Sequence, residues 1–183
     1  MAHKDDQRAR ATASLAAHLL RTGLAETSLR QLAAAAAVSD RMLLYYFTDK
    51  ADALRAAMGQ IAVDMGMRLA GAIPAEPALA PAALIAAAVR ITTAPDMKPY
   101  MRLWIEVVAA AARGEAPFPA IAREIAAAFR LWIEARLDPA GLPDPAGAAA
   151  LILATIDGLA LLGICSDDNI TARAAQAAQL LGG

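Results

Sequence analysis

The chain has 183 residues, of which about a quarter are alanine; 58% are hydrophobic, only 4% are aromatic, and the net charge is −1. This length suits one large domain or two small ones, and the composition predicts an all-α protein, since alanine is the strongest helix former and the β-branched residues that favour strands are sparse. The lone cysteine, Cys165, excludes an intrachain disulfide and a cysteine metal cluster, and the polar start MAHKDDQRAR lacks the apolar stretch of a signal peptide, so a cytoplasmic protein is expected.

In chain order, a first helix is predicted from about Asp5 to Arg21, with Leu15, His18 and Leu19 on one face and Gly23 as its stop. A second begins at Thr27 or Ser28, where Ser28 and Gln31 fit a capping box; Leu29, Leu32, Ala33 and Ala36 form its buried face. Ala37 and Val38 make a turn, and Ser39 caps a third helix, whose Val38 and Leu43 fit a hydrophobic staple. Leu43 and Phe47, four apart, point inward. Asp49 and Asp52 start a fourth helix that runs to about Ile73. Pro74, Pro77 and Pro81 mark a connection. Further helices are predicted over Pro81–Thr93, Met97–Arg113, Pro119–Leu137, Ala146–Ile164 and Thr171–Leu181. The total is about nine: three in an amino-terminal domain, residues 1–50, and six in a larger one, residues 51–183.

The stretch from Ala146 to Cys165 is almost entirely apolar and about as long as a bilayer span. Asp157 near its middle would be costly in a membrane, and no Lys/Arg cluster flanks the segment. A helix buried between protein partners is expected, without membrane contact.

Residues Thr27 to Leu54 have the layout of a helix-turn-helix: a short helix, a tight turn, and a second short helix exposed on one face. Such a helix enters the DNA major groove, where base edges present distinct patterns. Arg41 can donate to guanine or phosphate. Tyr45 and Tyr46 offer rings for thymine methyls and hydroxyls for phosphate, and Met42 offers apolar base contact. Lys50 reaches phosphate, as do Thr27 and Ser28 with the free N–H groups that open the second helix. Ser39 fixes the start of the reading helix. Residues 1–55 hold eight Lys/Arg against six Asp/Glu, while the remainder holds nine against twelve, so the basic excess lies with the motif.

This segment resembles the DNA-binding domain of the tetracycline-repressor-like (TetR) family of transcriptional regulators. Its pattern is a Thr-Ser/Thr start, an apolar-Ala helix, a Gly-Val-Ser turn, then Leu-Tyr-x-His-Phe and a lysine. Thr27, Ser28, Leu32, Ala33, Val38, Ser39, Leu43, Phe47, Lys50 and Leu54 match it. TIDGLALLG, Thr155 to Gly163, resembles the family's penultimate helix. Ala37 replaces the turn glycine, which predicts a slightly altered turn. Leu44 replaces a phosphate-contacting tyrosine, and Tyr46 stands where histidine is common, so the phosphate role passes to Tyr45 or Tyr46.

The resemblance implies a homodimer built from the last two helices of each chain, a double-stranded palindromic operator, and a small effector inside the body that releases DNA. The apolar Ala146–Ile164 segment agrees with a dimer, because it must be covered on several sides; Leu151, Ile152, Thr155, Leu159 and Leu162 are placed at the interface. Larger side chains cluster where an apolar effector would sit: Met58, Ile61, Met65 and Arg68; Tyr100, Met101, Trp104 and Ile105; Phe129 and Trp132.

An enzyme is not expected. The two histidines, His3 and His18, lie near the amino end, no Gly-rich phosphate loop is present, and the carboxylates are scattered. Glu106 and Glu134 could share a metal in a helical bundle, but no Glu-x-x-His accompanies them, so neither metal nor cofactor is expected. The alternatives are a bundle that binds a small molecule without DNA, or a carboxylate metal enzyme.

Overall fold

The computed structural model describes residues 2–165 together with 170, 173, 174, 176 and 177. Among the described residues eight α-helices carry the fold: α1 (Ala2–Thr22), α2 (Leu29–Ala35), α3 (Asp40–Tyr46), α4 (Lys50–Ala72), α5 (Pro81–Thr92), α6 (Lys98–Ala112), α7 (Phe118–Glu134) and α8 (Pro145–Cys165), with a 3-10 turn at Pro95–Met97 before α6. Of the ninth expected helix, Thr171–Leu181, only 173, 174, 176 and 177 are among the described residues, and these are helical. A single parallel bridge pairs Leu79 with Leu137, and no strand forms among the described residues.

Two compact units divide the chain. One comprises Met1–Asp64 and Arg102–Ile125, the other Met65–Met101 and Ala126–Gly183. The helices α4, α6 and α7 each contribute to both.

In the first unit α1, α2 and α3 touch one another in every pairing. Leu15, Leu19, Leu32, Leu43, Phe47 and Leu54 are excluded from solvent, each contributing about 1.5–3 kcal/mol by burial. Local chemistry sets the helix ends. Ser28 accepts from the Gln31 N–H while Gln31 accepts from the Ser28 N–H, the predicted capping box. The exit from α2 is a left-handed turn: Ala37 has φ +54°, its N–H reaches the Ala34 carbonyl, and the Val38 N–H reaches that of Ala33. This is the double-bonded exit that glycine usually makes. Alanine adopts it here at a cost of about 1–2 kcal/mol, so the departure from the family pattern leaves the left-handed geometry in place.

At the exit of α1, Gly23 has φ +68°, and a Cβ there would collide with the Glu106 carboxylate. That carboxylate accepts from the Leu24 N–H at 2.6 Å. Arg102, one turn earlier on α6, donates to the carbonyls of Leu20 and Arg21 at 3.0 and 2.9 Å. A cation on the last carbonyls of α1 also complements the helix dipole.

In the second unit, α5 packs on α8. Leu84, Val89, Ile133, Leu137, Ala149, Ile152, Ile156 and Leu159 form the core with Ile73. Arg136 is buried there; it donates to the Ile73 carbonyl at 2.7 Å and to that of Trp132 at 3.1 Å, and its guanidinium carbon lies 4.1 Å from the Trp132 ring centroid. Burial holds its pKa below the ordinary arginine value. By length and composition α8 alone among the described helices could cross a membrane.

Candidate nucleic-acid interface

The site is built outward from Leu43 and Phe47. Both are buried, which orients the seven-residue α3 and turns its other side to solvent. Ser39 begins the helix, its Oγ accepting from the Met42 N–H at 3.2 Å. Arg41, Met42 and Tyr45 are exposed, Tyr45 by 57%, while Tyr46 is half-buried. The two tyrosine rings meet edge to face at 5.7 Å. Leu44, in the place of the family's tyrosine, is also exposed.

The far end of α3 is held by a relay of backbone caps. Asp49 accepts from the Asp52 N–H at 2.7 Å, and Asp52 accepts from the Thr48 N–H at 3.0 Å. These bonds start α4 and leave Lys50 exposed in its first turn. At the opening of α2, Ser28 is exposed; the half-buried Thr27 donates to the Leu24 carbonyl at 3.0 Å. His18 is buried, and its Nε2 pairs with the Glu26 carbonyl at 2.9 Å, tying α1 to the loop before α2. Thr27, Ser28, Ser39, Arg41, Met42, Tyr45, Tyr46 and Lys50 thus all lie in the first unit, on α2, α3 and the helix starts beside them.

Two residues beside this face carried no signal in the sequence. Lys4 places its Nζ 4.4 Å from the Tyr45 ring centroid. Arg8 donates to Asp52 at 3.2 Å and stacks 5.1 Å from the Phe47 ring centroid. About forty positions separate these partners, so only folding brings them together.

The residues expected around an effector fall in both units. Met58 and Ile61 are buried in the first, which also holds the half-buried Trp104 and Ile105. Met65, Arg68, Tyr100, Met101, Phe129 and Trp132 belong to the second. There Arg68 stands 5.6 Å over the Tyr100 ring and pairs with Asp96 at 3.3 Å. The Trp132 Nε1 is buried with no hydrogen-bond partner among the described residues.

On α8 the expected interface residues separate. Ile152 and Leu159 are core residues packed in their own unit, which corrects their placement on a partner-facing surface. Leu151 and Leu162 are exposed and Thr155 is half-buried, its hydroxyl donating to the Leu151 carbonyl at 2.8 Å. Leu161 and Ile164 are also exposed. Glu106 and Glu134 lie in different units and have separate partners, Leu24 with Arg102 and Arg130 respectively. Among the described residues no group of three or more His, Cys, Asp and Glu is placed to hold a metal.

Known proteins agree with this layout. The sequence pattern of the bacterial regulatory proteins of the tetR family matches residues 14–57. The chain is similar to a transcriptional regulator from Rhodococcus sp. Rha1, with 28% identity, 87% of this chain and 84% of that one covered, and a TM-score of 0.68. It shares its fold with a candidate transcriptional regulator from Streptomyces coelicolor A3(2), at 22% identity, with 96% and 98% covered and a TM-score of 0.75. It also shares it with the multidrug binding protein EbrR complexed with imidazole, at 22% identity, with 97% and 95% covered and a TM-score of 0.71. No curated protein matches the sequence.

Proposed function

We propose that this chain, in which residues 14–57 match the tetR family of bacterial regulatory proteins, is a DNA-binding transcriptional regulator, and that it acts as a cytoplasmic repressor that binds a palindromic operator as a homodimer and is released by a small, largely apolar effector. The observation that carries the DNA reading is the split of α3 into a buried side, Leu43 and Phe47, and an exposed side bearing Arg41, Met42 and Tyr45. A helix anchored from behind and exposed in front can insert into the major groove without disturbing the core. Arg41, Met42, Tyr45 and Tyr46 meet the base edges or the flanking backbone. Lys50, Thr27 and Ser28 contact phosphate, and Ser39 sets the register of the helix. The reading domain, residues 1–50, and the body, residues 51–183, then divide recognition from control.

Dimerisation uses the exposed aliphatic row of α8, with Leu151, Thr155 and Leu162 joined by Leu161. Two reading helices then address two half-sites. EbrR, which shares this fold, is a multidrug binding protein with complexes of imidazole and of proflavin, which supports an effector in the body here. Met65, Arg68, Tyr100, Met101, Phe129 and Trp132 are the lining residues in the second unit. An effector that also accepts a hydrogen bond suits the unpaired Trp132 N–H, because a buried donor without a partner costs about 1–3 kcal/mol. Release is a population shift: the effector binds the DNA-incompetent arrangement more tightly than the DNA-bound one.

The test is fluorescence anisotropy on DNA from upstream of the protein's own gene, against scrambled duplex, at two salt concentrations, backed by selection from a random-sequence library. Specific binding that weakens with salt is expected. Failure to bind or enrich any duplex would remove the DNA reading. For the effector, substitution of Met65 should alter ligand response and spare apo DNA affinity; equal loss of both would displace that residue from the pocket.

A further inference from the structure

The first turn of α1 is held against the exposed face of α3, and it delivers a cation there. Arg8 fixes the position. It donates to both carboxylate oxygens of Asp52, at 3.2 and 3.4 Å, and stacks over Phe47. Asp52 in turn holds the Thr48 N–H, so the anchor reaches the junction of α3 and α4. Lys4 lies four residues before Arg8 and therefore on the same face of α1. Its Nζ rests 4.4 Å from the centroid of the Tyr45 ring, which is more than half exposed.

The two cations differ in what is left to them. The Arg8 charge is engaged by Asp52. Lys4 is exposed and has no ion pair among the described residues. An ammonium stacked on a ring face keeps donors for an oxygen acceptor, and the ring restricts the otherwise flexible lysine stem. A helix lying in the major groove, about 12 Å wide, is bordered by two rows of phosphates. A cation seated on the outermost ring of that helix faces one of those rows.

We propose that Lys4 is a DNA-phosphate contact contributed by α1, with Tyr45 as its positioning residue. The inference rests on the reading of α3 as the groove-binding helix. The ligand is the phosphate backbone of duplex DNA, so the contribution is independent of base sequence. The Tyr45 ring then has two roles: it lies against the groove, and it holds the ammonium at the groove's edge.

The probe is the duplex that the wild-type protein enriches from a random-sequence library, titrated by anisotropy between about 50 and 200 mM salt. Lys4→Ala should reduce the slope of log affinity against log salt by about 0.9 per bound protomer, the amount for one phosphate. Lys4→Arg should keep the wild-type slope. On a Tyr45→Ala background the Lys4→Ala change should shrink, whereas on Tyr45→Phe, which keeps the ring, it should persist. A purely structural lysine would shift the melting temperature and leave the slope alone. An unchanged slope in Lys4→Ala overturns the proposal while the DNA-binding reading stands, and an equal slope change with and without the ring overturns the positioning role of Tyr45. Failure of the wild type to enrich any duplex overturns the DNA reading and the Lys4 contact with it.

Discussion

Among the described residues, helices α3 and α8 both expose large side chains, and the two sets differ in chemistry. The α3 face presents a guanidinium, a thioether and a phenol on seven residues, Arg41, Met42 and Tyr45. Helix α8, of 21 residues, exposes Leu151, Leu161, Leu162 and Ile164. The α3 face is compatible with water and has donors that suit an anionic, hydrogen-bonding surface. The large side chains that α8 exposes are apolar, and the Thr155 hydroxyl is satisfied within the helix. Apolar surface left wet forgoes about 25 cal/mol per Å², so it favours another apolar surface. Exposure alone therefore says little about partners, and the atoms exposed decide which kind of molecule can cover them.

Several substitutions would break or sharpen this contrast. The largest effect is expected on α8. Leu151→Glu places a charge on a side chain that is 69% exposed in the chain, so the fold should persist while the proposed dimer separates. Sedimentation should report half the mass, and operator affinity should fall by roughly 10²–10⁴ as two-site binding is lost. An undiminished dimer would move the interface elsewhere.

Next come changes in the frame that presents α3. Gly23→Ala forces a side chain into a left-handed position and into the Glu106 carboxylate. The strain, with loss of the Leu24 N–H bond, should cost about 2–3 kcal/mol in urea unfolding. A neutral result would show that α6 gives way at no cost.

Tyr45→Ala removes the most exposed ring of α3 and should weaken operator binding by about 1–2 kcal/mol, near tenfold, with melting temperature unchanged. A large loss of stability would make Tyr45 a packing residue. The smallest change is expected at Ala37. Because its φ of +54° lies in the region that favours glycine, Ala37→Gly should stabilise the protein by about 0.5–1 kcal/mol, after the entropy cost of glycine in the unfolded chain. A destabilising result would show that the alanine methyl contributes packing that outweighs its backbone strain.

Where single residues act on their own neighbours, the sequence is readable. The cap pairs Ser28–Gln31 and Asp49–Asp52 and the Ser39 cap lie within three positions, and the inward pair Leu43 and Phe47 follows from helical spacing. The hydrogen bonds and burial concerned span one turn, so they are nearly the same in the peptide as in the protein. The helical class follows from composition in the same way, since alanine lowers the cost of helix at each position separately.

The tertiary structure decided which side of an apolar helix becomes core. Along α8 the sequence offers hydrophobic residues all round, so periodicity cannot choose among them; packing against α5 takes Ile152 and Leu159 into the interior and leaves Leu151 and Leu162 outside. It also decided the pairs of distant charges: Lys4 with Tyr45, Arg8 with Asp52, Arg102 and Glu106 with the end of α1. These depend on segments from about 40 to more than 80 positions apart meeting at fixed distances. No local propensity encodes such a meeting, because it exists only once the apolar faces have been buried together.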